Sequence, residues 1–298
     1  MSTPPPPTSP DAQHLELASI CVAAAEAGAR VLRELFERPR EVLFKGRIDL
    51  VTDADKAAEE RVLNFLAERM PGVAVLAEES GSHGEGAARL RFIVDPLDGT
   101  TNYAHGIPFF ACTVAAELKG QVVAGCTVDA TRGERFRAIR GGGAFVGRAN
   151  LTAMPSHRPA SEPPERRLAV SRAENLGQAV ICSGFPVEKR ARLSEMVEAF
   201  GKFTELGRGS RRLGSASLDL AYVAAGRIEV FYEQGLKPWD VAAGQLLVEE
   251  AGGVVSTFDG GAHSLSAGEI LACSAQLAGE ARAVLAGVRA KVASAATA

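Results

Sequence analysis

The apolar run Phe92-Ile93-Val94 leads straight into Asp95-Pro96-Leu97-Asp98-Gly99-Thr100-Thr101-Asn102, and this junction constrains the fold more than any other stretch. Pro96 cannot donate to a sheet ladder and fixes its own φ. The strand is therefore expected to stop at Asp95, leaving both aspartates in a turn at its end. Gly99 relaxes the backbone there, and Thr100-Thr101-Asn102 offers N–H groups and hydroxyls together. Carboxylates hold hard cations such as Mg²⁺, and a cluster of free backbone N–H groups holds an anion. A cation site touching an anion site is what metal-assisted attack on a phosphate ester requires. Two aspartates at this spacing alone would read as an acidic turn with a capping residue; the rest of the octet and its partners elsewhere favour chemistry.

With 298 residues the chain can bury a substantial core, as one large α/β unit or two closely joined halves. Lys plus Arg number 33 against 36 for Asp plus Glu, so the basic excess expected of a nucleic-acid binder is missing. No apolar run approaches membrane-spanning length. Met1 to Pro10 is proline-rich, with no basic or apolar segment of a signal peptide, and reads as part of a disordered tail over residues 1–13. The five cysteines, Cys21, Cys112, Cys126, Cys182 and Cys273, are scattered and odd in number. They fit small buried residues of a reduced, cytoplasmic protein.

Periodicity places a helix over 14–36 and a second from Thr52, where Thr52-Asp53-Ala54-Asp55 resembles a capping box, to just before Pro71-Gly72. Val73 to Leu76 is a strand candidate that delivers Glu78-Glu79-Ser80. Residues 110–118 and 121–128 form a hairpin around Lys119-Gly120, 134–139 adds a strand, and Gly141-Gly142-Gly143 a turn. The proline-rich stretch 153–166 reads as an exposed connection between halves at about 14–152 and 167–298 of a single domain. Beyond it, Leu168-Ala169-Val170, Ala179-Val180-Ile181 and 228–232 are strand candidates. Helices are expected over 188–203, 215–225 and 240–251, the last closed by Gly252-Gly253. Strands and helices mixed in this way imply a layered α/β architecture.

Asp240 follows Pro238-Trp239 and, by position, makes a good helix N-cap. Glu78-Glu79 alone would pass for a solvated acidic loop. Yet each acidic piece sits where a strand ends or a helix begins, which is where open α/β sheets place ligands. Were Glu78, Asp95, Asp98 and Asp240 to converge, two charges about 5 Å apart at an effective dielectric near 20 would repel by roughly 3 kcal/mol. Cations or protons must then neutralise them. An all-oxygen set without histidine or cysteine suits Mg²⁺ better than Zn²⁺.

The strings Asp95 to Asn102, Glu78-Glu79-Ser80 and Trp239-Asp240-Val241-Ala242-Ala243-Gly244 strongly resemble the inositol monophosphatase family of Mg²⁺-dependent, Li⁺-sensitive phosphatases. Asp49 to Asp55, Arg212 to Ser217 and Gly226-Arg227 extend the resemblance over roughly residues 15–275. It implies a five-layer αβαβα sandwich of the kind shared with fructose-1,6-bisphosphatase, usually a homodimer, with about two to three Mg²⁺ ions per site. Glu78, Asp95 and the Leu97 carbonyl would bind the first metal, and Asp95, Asp98 and Asp240 the second; Glu78 would also approach a third. Glu79 and Thr100 would flank the attacking water, with Asp55 supporting Thr100 and the metals. The N–H groups of Gly99, Thr100 and Thr101 would hold phosphate, and Lys45 would sit on a loop covering the site.

Glu233, seven residues before Asp240, matches the family glutamate that accepts hydrogen bonds from inositol hydroxyls, and Ala216 lines the same pocket. Inositol 1-phosphate, a small phosphorylated polyol, is thus the expected substrate, with no nucleic acid or membrane needed. Lys237, where animal members carry histidine, resembles the bacterial branch, which also acts on other phosphates. Fructose 1,6-bisphosphate, 3′-phosphoadenosine 5′-phosphate and histidinol phosphate are the alternatives, with Arg208, Arg211 and Arg212 available for a second phosphate. A mainly regulatory interaction protein with the same fold is a reading from another class; it predicts eroded ligands, and the acidic set is intact.

Overall fold

A computed structural model describes residues 10–36, 42–44, 50–84, 89–151, 164–185 and 193–296. Lys45, Asp49, most of the proline-rich connection and residues 1–9 of the expected tail lie outside the described residues. Helix α1 (Ala12–Phe36) begins two residues earlier than its periodicity suggests, because the Asp11 carboxylate accepts the N–H groups of Gln13 and His14 at 2.6 and 3.2 Å. A short antiparallel pair, β1 (Val42–Phe44) and β2 (Leu50–Thr52), leads into α2 (Asp53–Arg69).

The large sheet comes from the first half of the chain. Its strands are β3 (Ala74–Ala77), β4 (Gly81–His83), β5 (Leu90–Asp98), β6 (Ala111–Leu118), β7 (Gln121–Asp129), β8 (Glu134–Ile139), β9 (Gly143–Arg148) and β10 (Arg166–Arg167), with the short helix α3 (Thr100–Ala104) after β5. Their spatial order is β10-β9-β8-β7-β6-β5-β3-β4, antiparallel except for the β3–β5 pair. At the β6–β7 hairpin both Lys119 (φ 53°) and Gly120 (φ 80°) are left-handed, the tight-turn geometry whose twist matches paired strands.

Strand β5 does not stop at Asp95. It pairs Asp95 with Thr113 and Asp98 with Ala111, so one extra residue bulges out between the two aspartates. Pro96 sits inside that bulge, where its missing N–H costs no ladder bond. Both acids therefore belong to the strand, on either side of a kink.

The second half supplies β11 (Val180–Ser183), α4 (Leu193–Leu206), β12 (Gly209–Arg211), α5 (Ala216–Ala224), β13 (Val230–Gln234), α6 (Pro238–Glu250), β14 (Val254–Ser256), β15 (Glu269–Cys273) and α7 (Ala275–Ala296). The small sheet runs β12-β11-β13-β15-β14. Leu168 to Val170 is not a strand: the Leu168 N–H donates to Ala144 at 2.8 Å, but that of Val170 turns to the Ala251 carbonyl at 3.1 Å, beyond the end of α6. Strands β9, β14 and β15 and helix α7 had no expectation behind them.

Three apolar cores stack these parts into five layers. Leu17, Leu32, Val62 and Leu66 of α1 and α2 pack on Phe92, Val114 and Val128 of the large sheet. Ile93 and Phe136, from the opposite face of that sheet, meet Leu220, Leu246 and Leu247 of α5 and α6 and Phe231 of the small sheet. Ile181, Tyr232 and Leu271 on its far face meet Met196 and Phe203 of α4 and Leu277 and Leu285 of α7. The αβαβα sandwich follows. Among the described residues no helix is long and apolar enough to cross a membrane.

Candidate active site

The acidic groups gather where β3, β5, α2, α3, α5 and α6 meet. Asp55, the third residue of α2, is fully buried; its Oδ2 accepts the Thr52 N–H at 2.7 Å and the Thr52 hydroxyl at 2.6 Å, while Thr52 Oγ1 accepts from Ala54. This is the expected capping box with aspartate in place of glutamate. The other Asp55 oxygen accepts the Thr100 hydroxyl at 3.1 Å, and the Leu97 carbonyl lies 3.0 Å from the same hydroxyl. Burial lifts the Asp55 pKa above the ordinary carboxylate range, partly offset by these donors.

Asp95 is 1% exposed, and its Oδ1 accepts the N–H of Leu97 across the bulge at 3.0 Å. Its pKa stands well above normal, through burial first and then through Glu78, Asp98 and Asp240 in turn. Glu78, Asp98 and Asp240 are thus near enough for their charges to act on Asp95. Asp98 is held by the start of α5: Ser215 Oγ, Ser217 Oγ and Ser217 N donate to Oδ2 at 2.6, 2.6 and 2.7 Å, and Ala216 N to Oδ1 at 3.3 Å. Burial nonetheless raises its pKa, against those donors. Ala216 thus meets the site through its backbone, its side chain being buried.

Asp240 is not the N-cap of α6 but its third residue. Its Oδ2 accepts the Lys237 N–H at 2.6 Å, doing the capping from inside the first turn. Burial and Asp98 push its pKa up to about 7. Gly99 adopts φ 97° at the start of α3, and a Cβ there would crowd the Phe109 and Gly214 carbonyls at 3.1 and 3.2 Å. The N–H groups of Gly99, Thr100 and Thr101 lie in a first helical turn, where no carbonyl four residues back is available. Glu78 and Glu79 are half-buried in the turn after β3; the Glu78 N–H reaches Val94 at 3.2 Å.

Glu233, 8% exposed on β13, stands further along, near Asp219, Asp240 and Arg212. Burial above all drives its pKa well up. Gly184, after β11, lies directly against its carboxylate, with no room for a Cβ between them.

Glu59 and Asp219 had no sequence expectation, and Asn102, expected only as part of the octet, has a structural task. Glu59 of α2 accepts the Glu79 N–H at 2.9 Å and so fixes the acidic turn. The Asn102 amide donates to the Phe109 and Leu213 carbonyls, each at 2.8 Å, tying α3 to the segment before α5. Asp219 is 1% exposed, takes the Cys182 thiol as donor, and leaves Oδ1 without a partner among the described residues. All five cysteines are buried, as expected. An aspartate within an otherwise apolar helix was the available signal for Asp219.

The donors suit a hard divalent cation. None of Asp95, Asp98 and Asp240 forms an ion pair among the described residues, and burial disfavours their charged forms. Oxygen is the only donor type they offer. Among the described residues no three acidic, histidine or cysteine side chains are yet drawn to ligating distance around a common point. Asp98 and Asp240 are turned toward their helix N-termini instead.

Comparison with known proteins converges with this arrangement. The model of the inositol monophosphatase family matches residues 13–293. An inositol-1-monophosphatase from Mesorhizobium japonicum is 42% identical over 252 residues, 84% of this chain and 88% of that protein. Nus factor SuhB of Salmonella typhimurium is 39% identical over 257 residues, 85% and 90% of the two chains. The crystal structure of extragenic suppressor protein SuhB from Bartonella henselae superposes with a TM-score of 0.80 at 36% identity, over 90% of this chain and 97% of that one. On sequence and on fold together, the chain belongs to the inositol monophosphatase family.

Proposed function

We propose that this protein is a Mg²⁺-dependent phosphatase of small phosphate monoesters, with inositol 1-phosphate as its foremost substrate. The observation that supports the reading is that the buried Asp95 carboxylate feels the charges of Glu78, Asp98 and Asp240, beside the first turn of α3. Bound there, Mg²⁺ would neutralise the ester oxygens and make water easier to deprotonate. Glu78, Asp95, Asp98, Asp240 and the Leu97 carbonyl are the groups to hold two to three such ions.

The chain's own residues supply the rest. Asp55 anchors the Thr100 hydroxyl, so that Thr100 presents a fixed acceptor to an incoming water and relays its proton toward the Asp55 carboxylate. Glu79, held through its N–H by Glu59, flanks the same position. The N–H groups of Gly99, Thr100 and Thr101 would hold the phosphate at the start of α3. Glu233 accepts hydrogen bonds from polyol hydroxyls, and a water nucleophile removes any need for a covalent intermediate. Li⁺ inhibition, a homodimer and a cytoplasmic location complete the reading.

The test is phosphate release by the purified chain with Mg²⁺, with and without Li⁺. Inositol 1-phosphate would be compared with fructose 1,6-bisphosphate, 3′-phosphoadenosine 5′-phosphate and histidinol phosphate. Preference for inositol 1-phosphate supports the reading; preference for another ester keeps the chemistry and replaces the substrate. Relatives named Nus factor SuhB favour a regulatory role as the second reading, and absence of Mg²⁺-dependent turnover on every ester would promote it.

A further inference from the structure

Away from the acids, the groove between α1 and α2 opens into a cavity of about 520 Å³, lined by Ala27, Arg30, Val31, Arg33, Glu34, Arg61 and Leu151. Arg30, Arg33 and Arg61 bring three cationic side chains and Glu34 one acidic side chain to the lining of a space large enough for a small organic ligand. Arg30 is half-buried and donates from Nη1 to the Asn150 carbonyl at 3.1 Å. Glu26, whose charge acts on Arg30, is already engaged by Arg135 at 2.7 Å and by the Asn150 N–H at 3.0 Å. Arg33 and Arg61 are exposed and form no ion pair among the described residues. Burial lowers the Arg30 pKa, Glu26 restores part of it, and Arg61 lowers it again. Three arginines thus stand close together, and among the described residues Arg33 and Arg61 have no ion-pair partner.

We infer that this arginine-lined cavity is a second, non-catalytic binding site for a small ligand bearing a multiply charged phosphate group. The planar forks of Arg30, Arg33 and Arg61 match phosphate oxygens in pairs. Ala27, Val31 and Leu151 offer an apolar wall for whatever carries the phosphate. The site is distinct from the acidic centre: Arg61 lies six residues along α2 from Asp55, about 9 Å of helical rise. No divalent cation is needed, because the arginines themselves supply the positive charge.

Calorimetric titration of the full chain in EDTA, with sodium tripolyphosphate and with adenosine triphosphate, tests this. In EDTA the clustered carboxylates of the acidic centre repel anions, so binding reports on the arginines. Saturable binding is expected to weaken about tenfold or more in an R33Q/R61Q chain. Both residues are exposed, so the thermal midpoint should be unchanged in that variant. Equal affinity for the two probes would assign recognition to the phosphates alone, and tighter nucleotide binding would bring in the apolar wall; either supports the site. No binding, or unchanged binding by R33Q/R61Q, overturns it. Tighter binding by a D95N chain would place the anion among the acids and overturn it too.

Discussion

The Glu233 carboxylate rests directly on the α-carbon of Gly184, filling the space that any other residue's Cβ would occupy. Glu233 is buried on β13 and Gly184 follows β11, so the contact joins neighbouring parallel strands at the edge of the candidate pocket. G184A must swing the carboxylate aside. Its kcat/KM on inositol 1-phosphate is expected to fall about tenfold, chiefly through KM. In an E233A background the same glycine change should cost almost nothing further, and a double-mutant cycle of initial rates checks this.

Asp95 and Asp98 are expected to answer amide substitution with opposite signs. D95N removes one charge from four mutually repelling acids and should stabilise the metal-free chain by about 1–3 kcal/mol while abolishing Mg²⁺-dependent turnover. D98N sets an amide against the donors of Ser215, Ala216 and Ser217 and should destabilise it by about 1–3 kcal/mol. Urea unfolding in EDTA, alongside phosphate release in Mg²⁺, separates the two.

Thr100 is the place to separate chemistry from folding. T100A should lower kcat by about 10²-fold or more, with a stability loss of about 1 kcal/mol for the two hydrogen-bond acceptors it leaves. T100S retains the hydroxyl and should recover most of the rate. Failure of serine to rescue in steady-state assays would remove Thr100 from the water's neighbourhood.

Metal and protons should compete for the same oxygens. A carboxylate raised above its unfolded value binds its proton more tightly in the folded state, so its contribution to stability falls as pH climbs toward the raised value. For Asp240 that window runs from the ordinary carboxylate range up to about 7. Asp95 and Asp98 are raised in the same direction. The metal-free chain should therefore lose thermal stability from about pH 4 to about pH 7, and the gain on adding Mg²⁺ should grow over the same interval. Melting curves with EDTA and with Mg²⁺ at matched ionic strength give the difference; a pH-independent gain would contradict it.

What could be read from the chain was local. The α2 capping box, the Lys119-Gly120 hairpin and the acidic octet each declare themselves within a few consecutive residues. Pro96 misled, because a proline that ends a regular strand is equally at home in a bulge, and only the partner strand β6 decides which. Asp98 meets Ser217 across 119 residues, and Asn102 meets Leu213 across 111. No local pattern marks such pairs. Gly184 was invisible for a related reason: its value lies in the side chain it lacks, opposite a partner 49 positions away. Helix α7 is alanine-rich and weakly amphipathic, and its packing against α4 and β15 defines it better than its periodicity.

Asp98 closes the start of α5 onto the bulge of β5, so in the proposed mechanism one carboxylate would serve both as reagent and as masonry. Under that mechanism natural selection on the residue would act twice, once for turnover and once for the joint between the two sheets. A descendant retired from catalysis would still need the joint, and its acidic octet would go on looking intact. Loss of the Thr100 hydroxyl, which carries far less of the architecture, would be the earlier sign of retirement.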